Sequence, residues 1–382
     1  MRATGGDVVI VGAGLVGLSV AWDLARRGAV VKVFDRGEAA RAASWAGAGM
    51  LAPHSEGLDD AAMLELCAQS LAMYPEFVER LREEGKADAR LHLDGILNVA
   101  YGPDRAGELH VRAAALRASG AGCEWLDAPA LRLSEPALAP SACGALLVRG
   151  EGSVDNRLLG RALTEACVAR GVTIVRDAGD VAIECDVRRA RGVRSILGFT
   201  SAGCVVNATG AWAARLPGVP EAYSPPVEPV KGQMFALAIP RGFVRHTTWI
   251  PGAYLVPRDD GRLMVGATVE RTGFDERVTA RGQHDLLAAV MRAAPSLGGF
   301  TVAETWAGLR PGTPDGRPFL GPSGLDGLWL ATGHARNGIL LAPVTGRLLG
   351  AAIAGESLEA LHPFLLARLR TEPALAARTT HS

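Results

Sequence analysis

The residues best equipped for chemistry in this chain lie in short glycine-rich stretches. Gly12-x-Gly14-x-x-Gly17 falls between the β-branched run Val8-Val9-Ile10-Val11 and an apolar stretch of helical spacing. In that strand–turn–helix setting the first glycine permits a tight turn and the second lets backbone approach a pyrophosphate. The third lets helix and strand pack closely. The pyrophosphate would rest on a helix N-terminus, where backbone N–H groups have no intrahelical partner. Asp35 stands 18 residues beyond Gly17, at the tip of the second strand. A carboxylate there accepts both hydroxyls of a ribose and repels a 2′-phosphate. The fingerprint serves NAD and FAD alike, and on its own leaves that choice open.

Three further stretches carry potential chemistry. Ser44-Trp45-Ala46-Gly47-Ala48-Gly49-Met50-Leu51 has four small residues in six, so its backbone can pass close to something flat and rigid. The same residues also read as a tight loop or a short helix packed on a sheet. Arg336-Asn337-Gly338-Ile339 reads as the N-terminus of an apolar helix running to about Ala354. A redox ring that becomes anionic on reduction would gain from those N–H groups and from Arg336, and Pro343 is tolerated in the early turns. Arg310 sits in the run Gly308 to Pro318, whose glycines and prolines exclude helix and central strand and indicate an ordered loop. Its guanidinium fork suits bidentate capture of a carboxylate. His334 reads as a backbone-anchored structural residue and not as a base.

The elements that must position these groups are legible as two kinds. Val8–Val11, a helix to about Arg27 stopped by Gly28, and Val30 to Phe34 make a βαβ unit with parallel strands. The pattern recurs in a helix from Asn156 to Arg170 capped by Asp155, the strand Val172–Val175, and strands at Cys204–Val206 and Leu328–Ala331. Between them, strands at Met234–Ile239, Ala253–Pro257 and Leu263–Thr268 include the hairpin signal Asp259-Asp260-Gly261. Helices are expected over 105–118 and 280–293. The fold class is therefore α/β plus α+β. A nucleotide-binding domain (1–85, 150–220 and 320–382) is interleaved with a smaller, mostly antiparallel substrate domain (86–149 and 221–319).

Composition narrows the classes of function. The 382 residues balance 40 Lys+Arg against 40 Asp+Glu, which gives no nucleic-acid surface and no polybasic anchor. No apolar run reaches the ~18 residues of a membrane span. Asp7 and the glycines of the first apolar run, with no cleavage site after it, argue against a signal peptide. The six cysteines form no C-x-x-C pair, which argues against a zinc site or a disulfide framework and for single buried thiols in a reduced, cytoplasmic setting. No metal is expected.

The segments VVIVGAGLVGLSVAWDLARRG, SWAGAGMLAP, VVNATGAW, PVKGQM, YLVPRDDGRLMVGAT, WAGLRPGTPDGRP and GHARNGILLAP give the chain a resemblance that spans nearly its whole length. It resembles the FAD-dependent amine and D-amino-acid oxidase superfamily, and within it glycine oxidases of the thiamine-pathway type. The resemblance implies a glutathione-reductase type FAD-binding domain. It implies that Gly12, Gly14, Leu15, Val16 and Gly17 hold the pyrophosphate, Asp35 and Arg36 the adenosine ribose, and Ser44 a phosphate. Ala48, Gly49 and Met50 would line the flavin ring and Val181 would meet adenine through its backbone. Gly210, Gly333 and the run Arg336, Asn337, Gly338, Ile339, Leu340, Leu341 and Ala342 would complete the cradle. Arg310 would grip the substrate carboxylate, Tyr254 would assist through its hydroxyl, and Arg336 would serve at the reacting end.

Three positions depart from family patterns. Gly252 replaces a histidine two residues before Tyr254, and Val269 replaces a methionine, so an amine larger than glycine, such as sarcosine or a small D-amino acid, fits the expectation. Gly308 stands where covalent flavoproteins of the superfamily carry a cysteine, so the FAD is expected to be non-covalent. The implied reaction moves a hydride from the substrate α-carbon to flavin N5. It yields an imine, then a 2-oxo acid and ammonia, with dioxygen reduced to peroxide. A dehydrogenase passing electrons to a quinone or another carrier stands as the alternative. The family further implies a homotetramer and a place in thiamine biosynthesis.

Overall fold

A computed structural model describes residues 7–186 and 188–371. The outermost parts of the expected nucleotide-binding domain, 1–6 and 372–382, lie outside the described residues. A six-stranded sheet runs in the order Phe319–Pro322, Leu328–Thr332, Cys204–Asn207, Val8–Val11, Val31–Phe34, Thr173–Val175. Its pairings are parallel except for Phe319–Pro322 at one edge. Val8, Val9, Ile10 and Val11 are all buried, because both faces are covered. On one face lie the helices Leu15–Arg26, Ala61–Gly85, Asn156–Ala169 and Ala342–Ile353. On the other lies a three-stranded antiparallel sheet, Ala182–Cys185, Ala190–Ser195 and Gly198–Ser201.

Local chemistry sets these boundaries. Asp155 accepts from the N–H groups of Arg157 and Leu158 and so starts its helix where the sequence indicated. Asp60 does the same for Ala61–Gly85 through Met63 N–H at 2.9 Å. Gly28, at φ +86°, ends the first helix.

The second sheet has eight strands in the order Thr301–Gly312, Glu228–Ala238, Arg262–Gly266, Ala253–Pro257, Thr247–Ile250, Ile96–Ala100, Gly144–Val148, Cys123–Asp127. It is antiparallel apart from the pair Thr247–Ile250 and Ile96–Ala100. Residues alternate between two faces. Phe235, Leu237, Leu255, Leu263 and Val265 pack with Leu286, Ala289 and Val290 of the helix Ala280–Ala293. Met234, Ala236, Tyr254, Val256, Met264 and Trp306 pack against Ala46 and Ala48, which come from the nucleotide-binding side. The joint between the two sheets is therefore built from the small-residue stretch that follows Ser44.

Two expectations change in detail. Arg310 is not in a loop: the strand Thr301–Gly312 continues through it at the edge of the sheet. An edge strand tolerates Pro311, whose ring supplies no ladder donor, and Pro311 faces Pro229 across the pairing. The apolar helix begins at Ala342, with Pro343 in its first turn, and not at Arg336. Arg336 belongs to a short 3-10 turn, Ala335–Asn337.

Candidate active site

The first helix points its N-terminus at a cavity of about 430 Å³. Gly14, Leu15 and Val16 line it, no side chain of the N-cap closes that helix end, and no acidic residue occupies its first turn. Gly12 takes φ +108°, and a β-carbon there would stand 2.3 Å from the Ala208 carbonyl oxygen. A β-carbon on Gly17 would meet the Gly12 carbonyl oxygen at 2.0 Å. Both glycines are thus required by backbone packing, and together they leave the helix end open for an anionic group. Asp35 accepts from Ala13 N–H at 2.7 Å and Gly37 N–H at 3.0 Å, which fixes its carboxylate at the strand tip. Arg36 is exposed and lies over the Trp212 ring at 3.9 Å.

Ser44 Oγ accepts from Leu15 N–H at 3.0 Å, so the small-residue stretch is tied to the glycine-rich turn. That stretch forms a short helix, Ala43–Ala46, and a two-residue strand, Met50–Leu51. Its carbonyls are held from three directions. Asn156 donates to Ser44 and Trp45, Trp306 Nε1 to Ala46, and the buried Arg258 to Ala48 at 2.7 Å. Gly49, at φ +70°, brings its backbone so near Val154 that a β-carbon would sit 1.9 Å from that carbonyl oxygen. Asn156, Trp306 and Arg258 are site-building residues that sequence reasoning missed.

On the opposite wall the turn at 335–341 is anchored by the helix Ala61–Gly85. Tyr74 donates to the Ile339 carbonyl at 2.5 Å and Ser70 to that of Leu340 at 2.6 Å. Arg336, Asn337, Gly338 and Ile339 line the cavity, while Leu340, Leu341 and Ala342 point into the hydrophobic core. His334 is buried, holds Thr345 Oγ at 3.1 Å through Nε2, and is pushed down to about 3 by burial. It stays neutral, and it is anchored both through that side-chain contact and through its backbone carbonyl, which accepts from Asn337 N–H at 2.8 Å.

The residues expected to meet the substrate come mostly from the eight-stranded sheet. Arg310 lies flat over Gly232, where a β-carbon would come within 2.4 Å of both terminal nitrogens, and Nη1 donates to the Thr268 carbonyl at 3.2 Å. Tyr254 is buried with its hydroxyl against Gly266 and its ring edge-on to Trp249 at 5.3 Å. Burial pushes the phenol up, and Arg310 beside it pulls the other way. Gly252 and Val269 also line the cavity, with Val269 largely exposed at its mouth. Sequence reasoning missed one further group, Glu56. Its side chain is 6% exposed, lines the cavity, and lies 3.8 Å from Arg336.

Gly14, Leu15, Val16, Ser44, Ala48, Gly49, Met50, Gly210, Tyr254, Arg310 and Arg336–Ile339 therefore share one cavity. Asp35, Arg36 and Val181 are not among its lining residues; Asp35 and Arg36 end the strand beside the first, and Val181 is buried in the layer behind. Gly333 packs on Phe319 and Thr313. Of the six free cysteines, Cys67, Cys167 and Cys204 are buried, Cys123 and Cys185 half-buried, and Cys143 exposed, so the expectation of uniformly buried thiols holds for half of them. No helix among the described residues is long and apolar enough to cross a membrane.

A helix end open to an anion, a backbone cradle that admits no β-carbon and a flanking small-residue wall fit a dinucleotide that carries a flat ring. The chain belongs to the FAD-dependent oxidoreductase family, whose model matches residues 7–352. It is a flavoenzyme of the glycine-oxidase-like type. Its FAD is non-covalent, and no cysteine lines the cavity. Glycine oxidase of Pseudomonas putida is 35% identical over 351 residues, covering 91% of this chain and 94% of that protein. The bifunctional protein ThiO/ThiG of Synechocystis sp. is 37% identical over 98% of this chain, which spans 56% of that longer protein. The crystal structure of glycine oxidase from Geobacillus kaustophilus superimposes with a TM-score of 0.90 at 34% identity, covering 96% of this chain and 99% of that one.

Proposed function

We propose that this chain oxidatively deaminates a small amino acid or secondary amine, with glycine the leading substrate and sarcosine or a small D-amino acid admitted by the open wall at Gly252 and Val269. FAD, when bound, supplies the acceptor for a hydride from the substrate α-carbon and passes the electrons to dioxygen, giving peroxide. The imine then hydrolyses to a 2-oxo acid and ammonia.

The observation that carries this reading is the convergence of Arg310 and Tyr254 on the cavity that the phosphate turn also enters. Arg310 binds the substrate carboxylate through its fork, and the Tyr254 hydroxyl takes a share of the same group. Held at that end, the substrate presents its α-carbon toward the small-residue wall at Ala48–Met50. The gain is orientation, the main service a protein renders when the cofactor carries the difficult chemistry. Buried packing of Tyr254, Met234 and Trp306 keeps water from the reacting end. Leu15, Val16 and Ser44 hold the pyrophosphate, Asp35 and Arg36 the ribose, Val181 the adenine, and Arg336 with Asn337–Ile339 the pyrimidine end of the ring. The same reading carries a cytoplasmic homotetramer in thiamine biosynthesis and the two-domain division given above. Light scattering tests the assembly.

Anaerobic mixing of the yellow protein with glycine, sarcosine and D-proline in parallel tests the reaction. Bleaching by at least one of them is expected. Bleaching by the larger amines but not by glycine would move the substrate assignment, and bleaching by none would refute the function.

A further inference from the structure

The cavity holds two guanidinium groups, Arg310 and Arg336, and a carboxylate that the reading above leaves without work. Glu56 Oε1 lies 3.8 Å from Arg336 Nε. Oε2 is fully buried and has no hydrogen-bond partner among the described residues. A buried acceptor without a donor is costly, so a donor is expected to arrive from outside the protein.

Resting on the proposed function, we infer that Glu56 receives the substrate's ammonium group and takes its proton before oxidation. A small amino acid at neutral pH carries a carboxylate and an ammonium. With the carboxylate on Arg310, the ammonium falls to the opposite charge in the same cavity. The nitrogen needs a free lone pair to form the imine, and an ammonium has none. In this step one N–H bond breaks, one O–H bond forms at Glu56 Oε2, the amine keeps the electron pair, and nothing is oxidised or reduced.

The surroundings suit a proton acceptor. Burial pushes the Glu56 carboxyl up from the ordinary range, while Arg336, Asn337 and Arg310 hold it partly down. The other titratable groups facing it are Tyr254 and Cys67, both pushed up by burial, so neither competes for the proton. Glu151 lies just behind, accepting from His54 and Ser55 N–H. Burial pushes it up to about 7, and it is present in wild type and Glu56 variants alike, so its own titration is common to the compared proteins.

The position of Glu56 is itself built. Glu151 grips the backbone of His54 and Ser55, Asn98 donates to Ser55 Oγ at 3.2 Å, and Arg112 donates to the His54 carbonyl. Three separated elements thus present this one side chain to the cavity.

The test is a comparison of wild-type holoenzyme with Glu56→Gln and Glu56→Asp, reading kcat/KM for the best amino-acid substrate from about pH 6 to about pH 10. Acetate binding, seen as a perturbation of the flavin visible band, runs in parallel. Glu56→Gln is expected to lose roughly 10²–10⁴-fold at neutral pH. The deficit should close as pH rises toward the amine's own pKa, where no acceptor is needed, and acetate should bind at least as well as in wild type. Glu56→Asp should show a smaller deficit with the same pH trend, and it decides the matter if the Gln variant fails to bind acetate. A deficit that is flat with pH in the variants, or no deficit, overturns the role of Glu56 while leaving the parent function standing. A wild type that binds acetate but oxidises no amino acid overturns both.

Discussion

Gly232→Ala is the sharpest probe of the carboxylate clamp proposed for Arg310, because it moves that side chain without removing its charge. Gly232 lies in extended backbone on the strand Glu228–Ala238, so alanine brings no conformational strain. Its β-carbon would stand 2.4 Å from Nη1 and Nη2 of Arg310 and 2.6 Å from Cζ. Ordinary contact requires ~3.5 Å, so the guanidinium must retreat by roughly 1 Å. It sits at the end of a flexible side chain, and it yields before the ladder between Glu228–Ala238 and Thr301–Gly312 does. Such a shift spoils the two-point fit to a carboxylate and loses one charge-assisted hydrogen bond of about 1.5–3 kcal/mol, or roughly 10- to 100-fold. The loss belongs in substrate binding. Anaerobic flavin reduction followed against amino-acid concentration should show a raised apparent Kd, and acetate binding should weaken by the same factor. The variant's melting temperature should match wild type, since replacing a strain-free glycine by alanine is neutral or slightly stabilising. Unchanged affinity for both ligands would refute Arg310 as the clamp, as would an equal loss for an amine that has no carboxylate.

Tyr254→Phe should cost amino-acid affinity by roughly 10-fold through one hydrogen bond to a charged group, with acetate binding as the check. Val269→Met should restore bulk at the cavity mouth and lower the kcat/KM of D-proline relative to glycine; an unchanged ratio would show that this wall does not set substrate size. Arg258→Met removes the donor that holds the Ala48 carbonyl, and equilibrium dialysis should then show weaker FAD retention. Glu151 is pushed up to about 7 from 4.5, chiefly by burial. Between those values the folded chain keeps a proton that the unfolded chain has released, so stability is greatest below about 4.5 and falls as pH rises through 7, by about 3 kcal/mol. Urea denaturation at several pH values should show this decline in wild type and its loss in Glu151→Gln; parallel curves would refute the assignment.

The cofactor half of the site was legible because its signals are local. Gly12, Gly14 and Gly17 sit within one strand, turn and helix, and the demands on their backbone arise within a few residues of chain. The helix Ala61–Gly85 carries a signal of the same kind: Asp60 as cap, then Met63, Leu66, Cys67, Ser70, Tyr74, Phe77 and Leu81 on one buried face. Pro343 likewise marked the true start of the last apolar helix, because proline belongs in a first turn. The substrate half follows a different logic. Tyr254 faces Gly266 across one hairpin, but Gly266 faces Met234 and Met234 faces Trp306 across strands that lie further apart in sequence. Arg310 shares that face through its own register with Val230. A slip of one residue in any of these pairings would turn Tyr254 or Arg310 away from the cavity. Glu56 is harder still to read from sequence. Its segment has no periodicity, and what distinguishes it comes from Glu151 behind it and Arg336 across from it, 95 and 280 positions further along the chain. A buried carboxylate shows itself only when its neighbours do, which is why the group most suited to accept the amine's proton emerged from packing and not from pattern.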